Sequence, residues 1–563
     1  MTGRNLGSGH QIERRRFLAV AGFSGAGMAA VLAAGCGGKR VTSRSTPVPS
    51  VSKPTAGGTS SRTPVPSASK PKSGGRLSTY MPRPIRGFDP TPYVSIPDVY
   101  AVVGLYSGLL RQVPSLPSTQ EADLATSWEV AGDGTVVLHM RDGVRWSDGQ
   151  PLSASDVEFT FKRTLDPKLP SGRTGGLIRP AIEAVRAMDD RTVQFKIKPA
   201  YSEAYLLQVL ATAFTVIVPQ HIVISGNELD KQAVGTGPFR AKQLATDDMI
   251  WERNPGYYRP GEPLLDGAEF VTITDPQRQF TAIQTDQVQY TPVLSGIDVK
   301  QAAQLAASHK VLQGPNAIGA SFLLNQQRKQ WQDPRVWRAV SLTLDRDEIA
   351  NRGSGGLSSV RGVLDQRVFG DYSLPESEWR AAAGWRSQGK AQDIAEAKKL
   401  IDAAGARGSG EILASVLPPS ADVCQVIAQQ LSQIGLDMHV NVIDYTTYIA
   451  RSQAGDFDTS EGGNGAALPN PVEYLSISFK TEGGRNLTHF SNPALDAKIA
   501  SLASAADVRS VAWDIQRDLL AGSVPAIPTT WGERIQVFAK NVEGYVFGPT
   551  IYDNDSLVQV WLS

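Results

Sequence analysis

Residues 37–73 decide how much of this chain is available to fold. The stretch is rich in Ser, Thr, Pro and Lys, has no aromatic residue, and contains an imperfect duplicate, Thr46-Pro-Val-Pro-Ser-Val-Ser-Lys-Pro54 and Thr63-Pro-Val-Pro-Ser-Ala-Ser-Lys-Pro71. Such a composition cannot bury enough apolar surface to offset the entropy lost on ordering. The proline content predicts an extended, semi-stiff spacer, reaching at most about 110 Å at a polyproline rise. Folding therefore begins near Gly74, and about 490 residues remain, enough for two or three lobes.

Ahead of the spacer, Arg14-Arg15-Arg16-Phe17-Leu18 opens a run without charge as far as Ala34, followed by Gly35-Cys36. The run has the length of the apolar part of an export signal and is too short and glycine-rich for a comfortable membrane span. Arg14 and Arg15 with Phe17-Leu18 resemble the twin-arginine export motif, with Glu13 where Ser or Thr is commoner. Ala33-Ala34-Gly35-Cys36 resembles a bacterial lipobox, with Leu32 one place earlier than usual. The expectation is a signal over 1–35, lipidation at Cys36, and a tether over 36–73 that lifts a globular body off a membrane.

Charge and cysteine usage narrow the classes further. Residues 1–35 carry four arginines and one glutamate, and 37–73 carry seven basic residues and no acid, so a formal net charge of +1 leaves the body at −9. A body of that sign, without basic blocks interleaved with aromatics, points away from nucleic acid. Only Cys36 and Cys424 are present. With Cys36 lipidated no intrachain disulfide is available, and stability has to come from burial. Cys424 falls on an apolar helical face with Val423, Ile427, Leu431 and Ile434, as a core thiol.

A catalytic reading needs a nucleophile with its base, or a metal cluster. The six histidines, His10, His139, His221, His309, His439 and His489, are scattered singly, and no HxxxH or CxxC spacing occurs in the body. Gly353-Ser354-Gly355 lacks the frame of a nucleophile elbow, and Gly22-Phe-Ser-Gly-Ala-Gly27 lies inside the signal. No enzyme activity, cofactor or metal is expected.

Local patterns predict an α/β body. A short glycine-led strand is expected over Gly74–Tyr80, a helix over 99–110, and a hairpin joining 127–130 to 135–140 around two glycines. A helix capped by Ser155 with Glu158 as its capping box is expected next. Asp333 with Pro334 predicts a helix start, Asp393 with Glu396 a capping box, and Gly405 a left-handed stop. Strands are expected at 271–274, 322–324 and 439–443, alternating with helices.

Several motifs stand in one order along the body: Arg141-Asp-Gly-Val-Arg-Trp-Ser-Asp-Gly149, Gly235-Thr236-Gly237-Pro238-Phe239, Arg253-Asn254-Pro255-Gly256-Tyr257-Tyr258, Asp333-Pro-Arg-Val-Trp-Arg-Ala-Val340, Leu344-Asp345-Arg346, Gly455-Asp-Phe-Asp458 and Pro525-Ala-Ile-Pro528. Together they resemble the solute-binding proteins of peptide and nickel ATP-driven uptake systems, extracellular solute-binding protein family 5, over almost all of 74–563. The resemblance implies a two-lobed periplasmic-binding-protein-like fold of type II with an extra subdomain and a central cleft. Carried over, lobe I is 74–318 with the insert at about 110–225, lobe II is 319–529, and 530–563 returns to lobe I. It also implies a monomeric receptor that captures a small solute, a peptide in the first place, closes over it and delivers it to an ABC permease. Rival ligands on the same scaffold are an oligosaccharide, a nickel chelate or an opine-like solute; a rival class is an exported lipoprotein hydrolase.

Dipeptide-binding relatives hold the peptide amine with an aspartate shortly after the strand that follows Gly-Asp-Phe-Asp, beside an aromatic. Here the resemblance puts Asn464 about where that carboxylate belongs and Glu461 about where the aromatic belongs. Either Glu461 substitutes, or the ligand lacks a free amino terminus, since an unpaired buried ammonium costs about 3–5 kcal/mol. Tyr80, Phe322 and Trp531 complete the expected cleft residues, and Arg361 and Arg367 are candidates for a ligand carboxylate.

Overall fold

The computed structural model describes residues 70–563 apart from 92–95, 101, 114–115, 170–171, 227, 230, 293–294, 296, 506, 547, 549 and 551–556. Arg14, Arg15, Cys36 and the tether up to residue 69 lie outside the described residues.

One four-stranded sheet has the order Arg76–Met81, Gly267–Thr272, Asp248–Arg253, Phe239–Leu244, with only the first pair parallel. Two of the sequence motifs meet at its edge. Gly237 N–H donates to Leu105 O and Phe239 N–H to Gly104 O, at 2.9 and 3.0 Å, and the Asn254 amide donates to Gly237 O at 2.9 Å. A Cβ on Gly235 would overlap the Leu105 carbonyl, so this backbone-on-backbone approach requires glycine.

A second, antiparallel sheet orders Ala125–Val130, Thr135–Met140, Thr192–Ile197 and Ile182–Ala187. The expected hairpin is its first pair, turning through Gly132 and Gly134 at φ 75° and 82°. Helix Ala154–Leu165 lays Val157, Phe161 and Thr164 inward, and Phe161 meets Phe195 edge-on at 4.9 Å. Its cap is Ser153 with Asp156, two residues earlier than expected; Glu158 instead accepts from Ala187 N–H and Lys162. The expected helix over 99–110 is also corrected. Helix Ile96–Tyr100 ends early, and Leu110 opens strand Leu110–Val113, where the Gly104 and Gly108 neighbourhood favours turns.

The third sheet has six strands in the order Ser358–Ser359, Ala526–Ala539, His309–Leu324, Thr459–Gly465, Gly408–Ser415, Leu436–Ile443. His309–Leu324 and Ala526–Ala539 are long enough to serve two places. Their outer halves pair from His309↔Ala539 to Pro315↔Glu533, and Tyr290 bridges both Thr79 and Phe538, tying this end to the first sheet. Their inner halves join the third sheet, after register shifts between Pro315, Gly319 and Ser321. Ala317, at φ 55°, sits within that irregularity.

The helices of this region follow local rules. Asp333 accepts from Arg335 N–H at 2.9 Å and caps Pro334–Thr343, as expected. Gly405 stops Lys390–Ala404 at φ 63°. The capping box at Asp393 and Glu396 is absent: Gly389 begins the helix, and Asp393, 2% exposed, holds Gly384 N–H and Arg386 instead. Cys424 is fully buried on helix Ser420–Ser432, and burial pushes its thiol well up.

Candidate functional site

Three strands of the third sheet are parallel, and their order matters. The chain runs from Gly408–Ser415 through helix Ser420–Ser432 to Leu436–Ile443 on one side. It then runs through helix Tyr445–Ala454 to Thr459–Gly465 on the other side. The strand order thus reverses between Gly408–Ser415 and Thr459–Gly465, the place where open α/β sheets hold ligands at carboxyl strand ends. These two strands pair at Ile412↔Thr459 and Leu413↔Ser460, and Glu461 is the first residue beyond.

Glu461 lies opposite Phe322 in the neighbouring strand. Phe322 is fully buried in the core formed with Val340, Cys424, Ile427 and Leu431. The Glu461 carboxylate faces that same helix: Ser420 hydrogen-bonds it, and Cys424 and Tyr448 stand beside it. The Tyr448 hydroxyl donates to the Glu461 main-chain oxygen. Desolvation pushes the carboxyl up to about 7, partly offset by the Ser420 hydroxyl.

Asn464 and Trp531 come together elsewhere. Both register on Gly319, from the strands on either side, and Trp531 registers in turn on Ser359. A Cβ on Gly319 would overlap the Tyr474 hydroxyl and press on the Trp531 ring, so glycine opens room for two aromatics. The rings of Tyr474, Trp531 and Phe369 lie 5.1 to 5.7 Å apart, centre to centre. Trp531 Nε1 donates to Gly362 O at 3.2 Å, and Asn464 Nδ2 to Ser478 Oγ at 2.9 Å. Beneath them Glu473, 4% exposed, accepts from Ala467 N–H at 3.1 Å.

Tyr80 belongs to neither group. It is fully buried among Phe280, Ile283, Ile535 and Val537, and burial raises its phenol. Arg367 is neutralised by Asp365 and Glu533, while Arg361 Nε donates to Ser359 Oγ at 3.1 Å and has no carboxylate partner among the described residues. Tyr474, Phe369 and Glu473 were not legible as site residues, because they sit on helices Pro471–Phe479 and Gln366–Phe369, and only long-range packing of these helices brings them to the sheet. Among the described residues no group of three or more His, Cys, Asp or Glu side chains is placed to hold a metal.

A family model described as Bacterial extracellular solute-binding proteins, family 5 Middle, matches residues 119–486. The periplasmic oligopeptide-binding protein OppA of Salmonella typhimurium is 23% identical over 460 residues, covering 77% of this chain and 82% of that protein. The ABC transporter-associated periplasmic binding protein DppA from Helicobacter pylori, solved with the peptide STSA, superposes with a TM-score of 0.75 at 20% identity, covering 87% of this chain and 98% of that one. AgaA from A. tumefaciens R10, solved with agropinic acid, gives 0.71 at 20% identity, with 87% and 99% covered. The two-lobed α/β fold expected from the sequence is the fold these structures share.

Proposed function

The chain belongs to family 5 of the bacterial extracellular solute-binding proteins, and from that premise we propose that it is a lipid-anchored receptor that captures peptides and passes them to an ABC permease. The coarser statement needs no proposal: it is an extracytoplasmic solute-binding receptor of an ABC importer, not an enzyme.

The observation that carries the peptide reading is the wall at Gly319. It combines tilted and edge-on aromatics with the half-buried amide of Asn464 on an inner strand, beside the register break in both long strands. Aromatic faces accept side chains of varied shape, while amide and main-chain groups match a peptide backbone. In this reading 74–318 and 530–563 form lobe I, with the insert at 110–225, and 319–529 forms lobe II. The lobes hinge where His309–Leu324 and Ala526–Ala539 cross between sheets, closing over the ligand. Tyr80 and Phe322 are the packing beneath the two lobes' facing surfaces. The molecule acts as a monomer, since one chain supplies both faces of the cleft. A second reading, a compact non-peptide solute, is favoured by Asn464 standing where a peptide amine would want a carboxylate, and by the likeness to AgaA.

Two measurements test this. Peptides at about 100 times Kd should stabilise the protein by about 2.7 kcal/mol in thermal denaturation, without turnover. A library that leaves the melting temperature unmoved removes the peptide reading. Arg14 and Arg15 direct export and Cys36 takes the lipid: wild-type protein should incorporate labelled palmitate and stay with membranes, and Cys36→Ala should lose both. Equal labelling of the two would remove the anchor.

A further inference from the structure

The reversal of strand order at Glu461 is separate from the wall at Gly319, and it has the makings of a second subsite. Pairing between the two central strands ends just before Glu461, leaving its partly buried carboxylate at the head of a notch. One side of the notch is the start of helix Ser420–Ser432, preceded by Val416 and Leu417, which are 55% and 49% exposed. The other is the start of helix Tyr445–Ala454. There Tyr445, also exposed, stacks on Tyr448 at 6.4 Å, and Tyr448 is bonded to the Glu461 main chain. Facing the carboxylate are Ser420 and Cys424 from one helix and Tyr448 from the other, and none carries positive charge. Among the described residues no Lys, Arg or His pairs with Glu461.

A desolvated carboxylate with one hydroxyl donor, an aromatic face and exposed aliphatic side chains together lack one thing, a cation on an apolar stem. We propose that this notch binds the lysine or arginine side chain of a peptide ligand. The inference rests on the peptide reading above and sharpens it to basic peptides. The negative body charge attracts the same ligands from solution.

Calorimetry with alanine tetrapeptides carrying one lysine, placed in turn at each position, and with the matching methionine peptides, tests it. At one placement lysine should bind about tenfold more tightly than methionine, and Glu461→Gln should erase that margin. At pH 7 the lysine peptide should release about half a proton, read from two buffers of different ionisation enthalpy, and Glu461→Gln should release none. Equal binding of lysine and methionine at every placement overturns the subsite and leaves the peptide reading standing. If no tetrapeptide binds, the peptide reading falls. The notch is then judged with agmatine: binding lost in Glu461→Gln sustains it, and no binding overturns it.

Discussion

Arg346→Met is expected to lower the unfolding free energy by about 3–5 kcal/mol. Arg346 is 3% exposed, and its guanidinium donates to main-chain oxygens of Pro528, Ser341 and Gly384 at 2.9, 3.2 and 2.8 Å while lying 3.9 Å over the Trp385 ring. It ties helix Pro334–Thr343, the Gly384 turn and strand Ala526–Ala539 into one body. Methionine would fill much of the space but leave these carbonyls without a donor in a dry interior, where each orphan costs about 1–3 kcal/mol. Lys390, whose ammonium donates to Leu344 O and Gly384 O at 2.8 and 3.1 Å, takes over only part of the cage. Desolvation pulls Arg346 down to about 9 and Lys390 to about 8, so the cage tolerates both cations at neutral pH only because carbonyls surround them. The measurement is denaturant unfolding followed by tryptophan fluorescence, with Arg335→Met as the control. Arg335 is half exposed and paired only with Asp333 and a helix-end carbonyl, and its loss should be small. Equal costs for the two variants would remove the cage from the account of stability.

The motif Leu344-Asp345-Arg346 shows what a sequence carries and where it stops. Asp345 is readable as a helix cap, and it accepts from Glu348 N–H at 3.0 Å. The role of Arg346 is not readable, because its acceptors lie as far along the chain as Pro528. The same division runs through the fold. Asp333-Pro334, the glycine hairpin at 132–134 and Gly405 act within a few residues, and they stand where expected. Asp393 met the local pattern of a cap, yet tertiary partners at Gly384 and Arg386 claimed it. At the site, Glu461 and Asn464 looked like neighbours. On a strand, residues three apart face opposite sides, and the structure sends Glu461 to the helix face with Phe322 and Asn464 to Gly319 and Trp531. That separation was available from the pleat alone. The convergence of Tyr474, Phe369 and Trp531 was not, since the first two reach the strand residue Trp531 from helices far away in the chain.

The separation gives Glu461 its own pH signature. Its carboxyl stands near 4.5 in the unfolded chain and is pushed to about 7 in the fold by desolvation. Between those values the native state holds the proton and the unfolded state does not. Its contribution to stability is therefore whole below about 4.5, falls as pH rises, and is lost above about 7, a change of about 3 kcal/mol. Glu461→Gln cannot ionise, so the difference in unfolding free energy between wild type and variant should swing by that amount in favour of the variant between pH 4.5 and 8. Taking the difference cancels Lys390, whose lowered value makes it titrate near pH 8 in both proteins. A saturating cationic ligand should shrink the swing, because an ammonium in the notch restores the charged form and pulls the carboxyl back toward its ordinary range. A flat difference in the free protein would mean that Glu461 is solvated and that the notch is open water. A swing that basic and neutral ligands change alike would mean that closure alone, rather than a cation at Glu461, sets the charge of this residue.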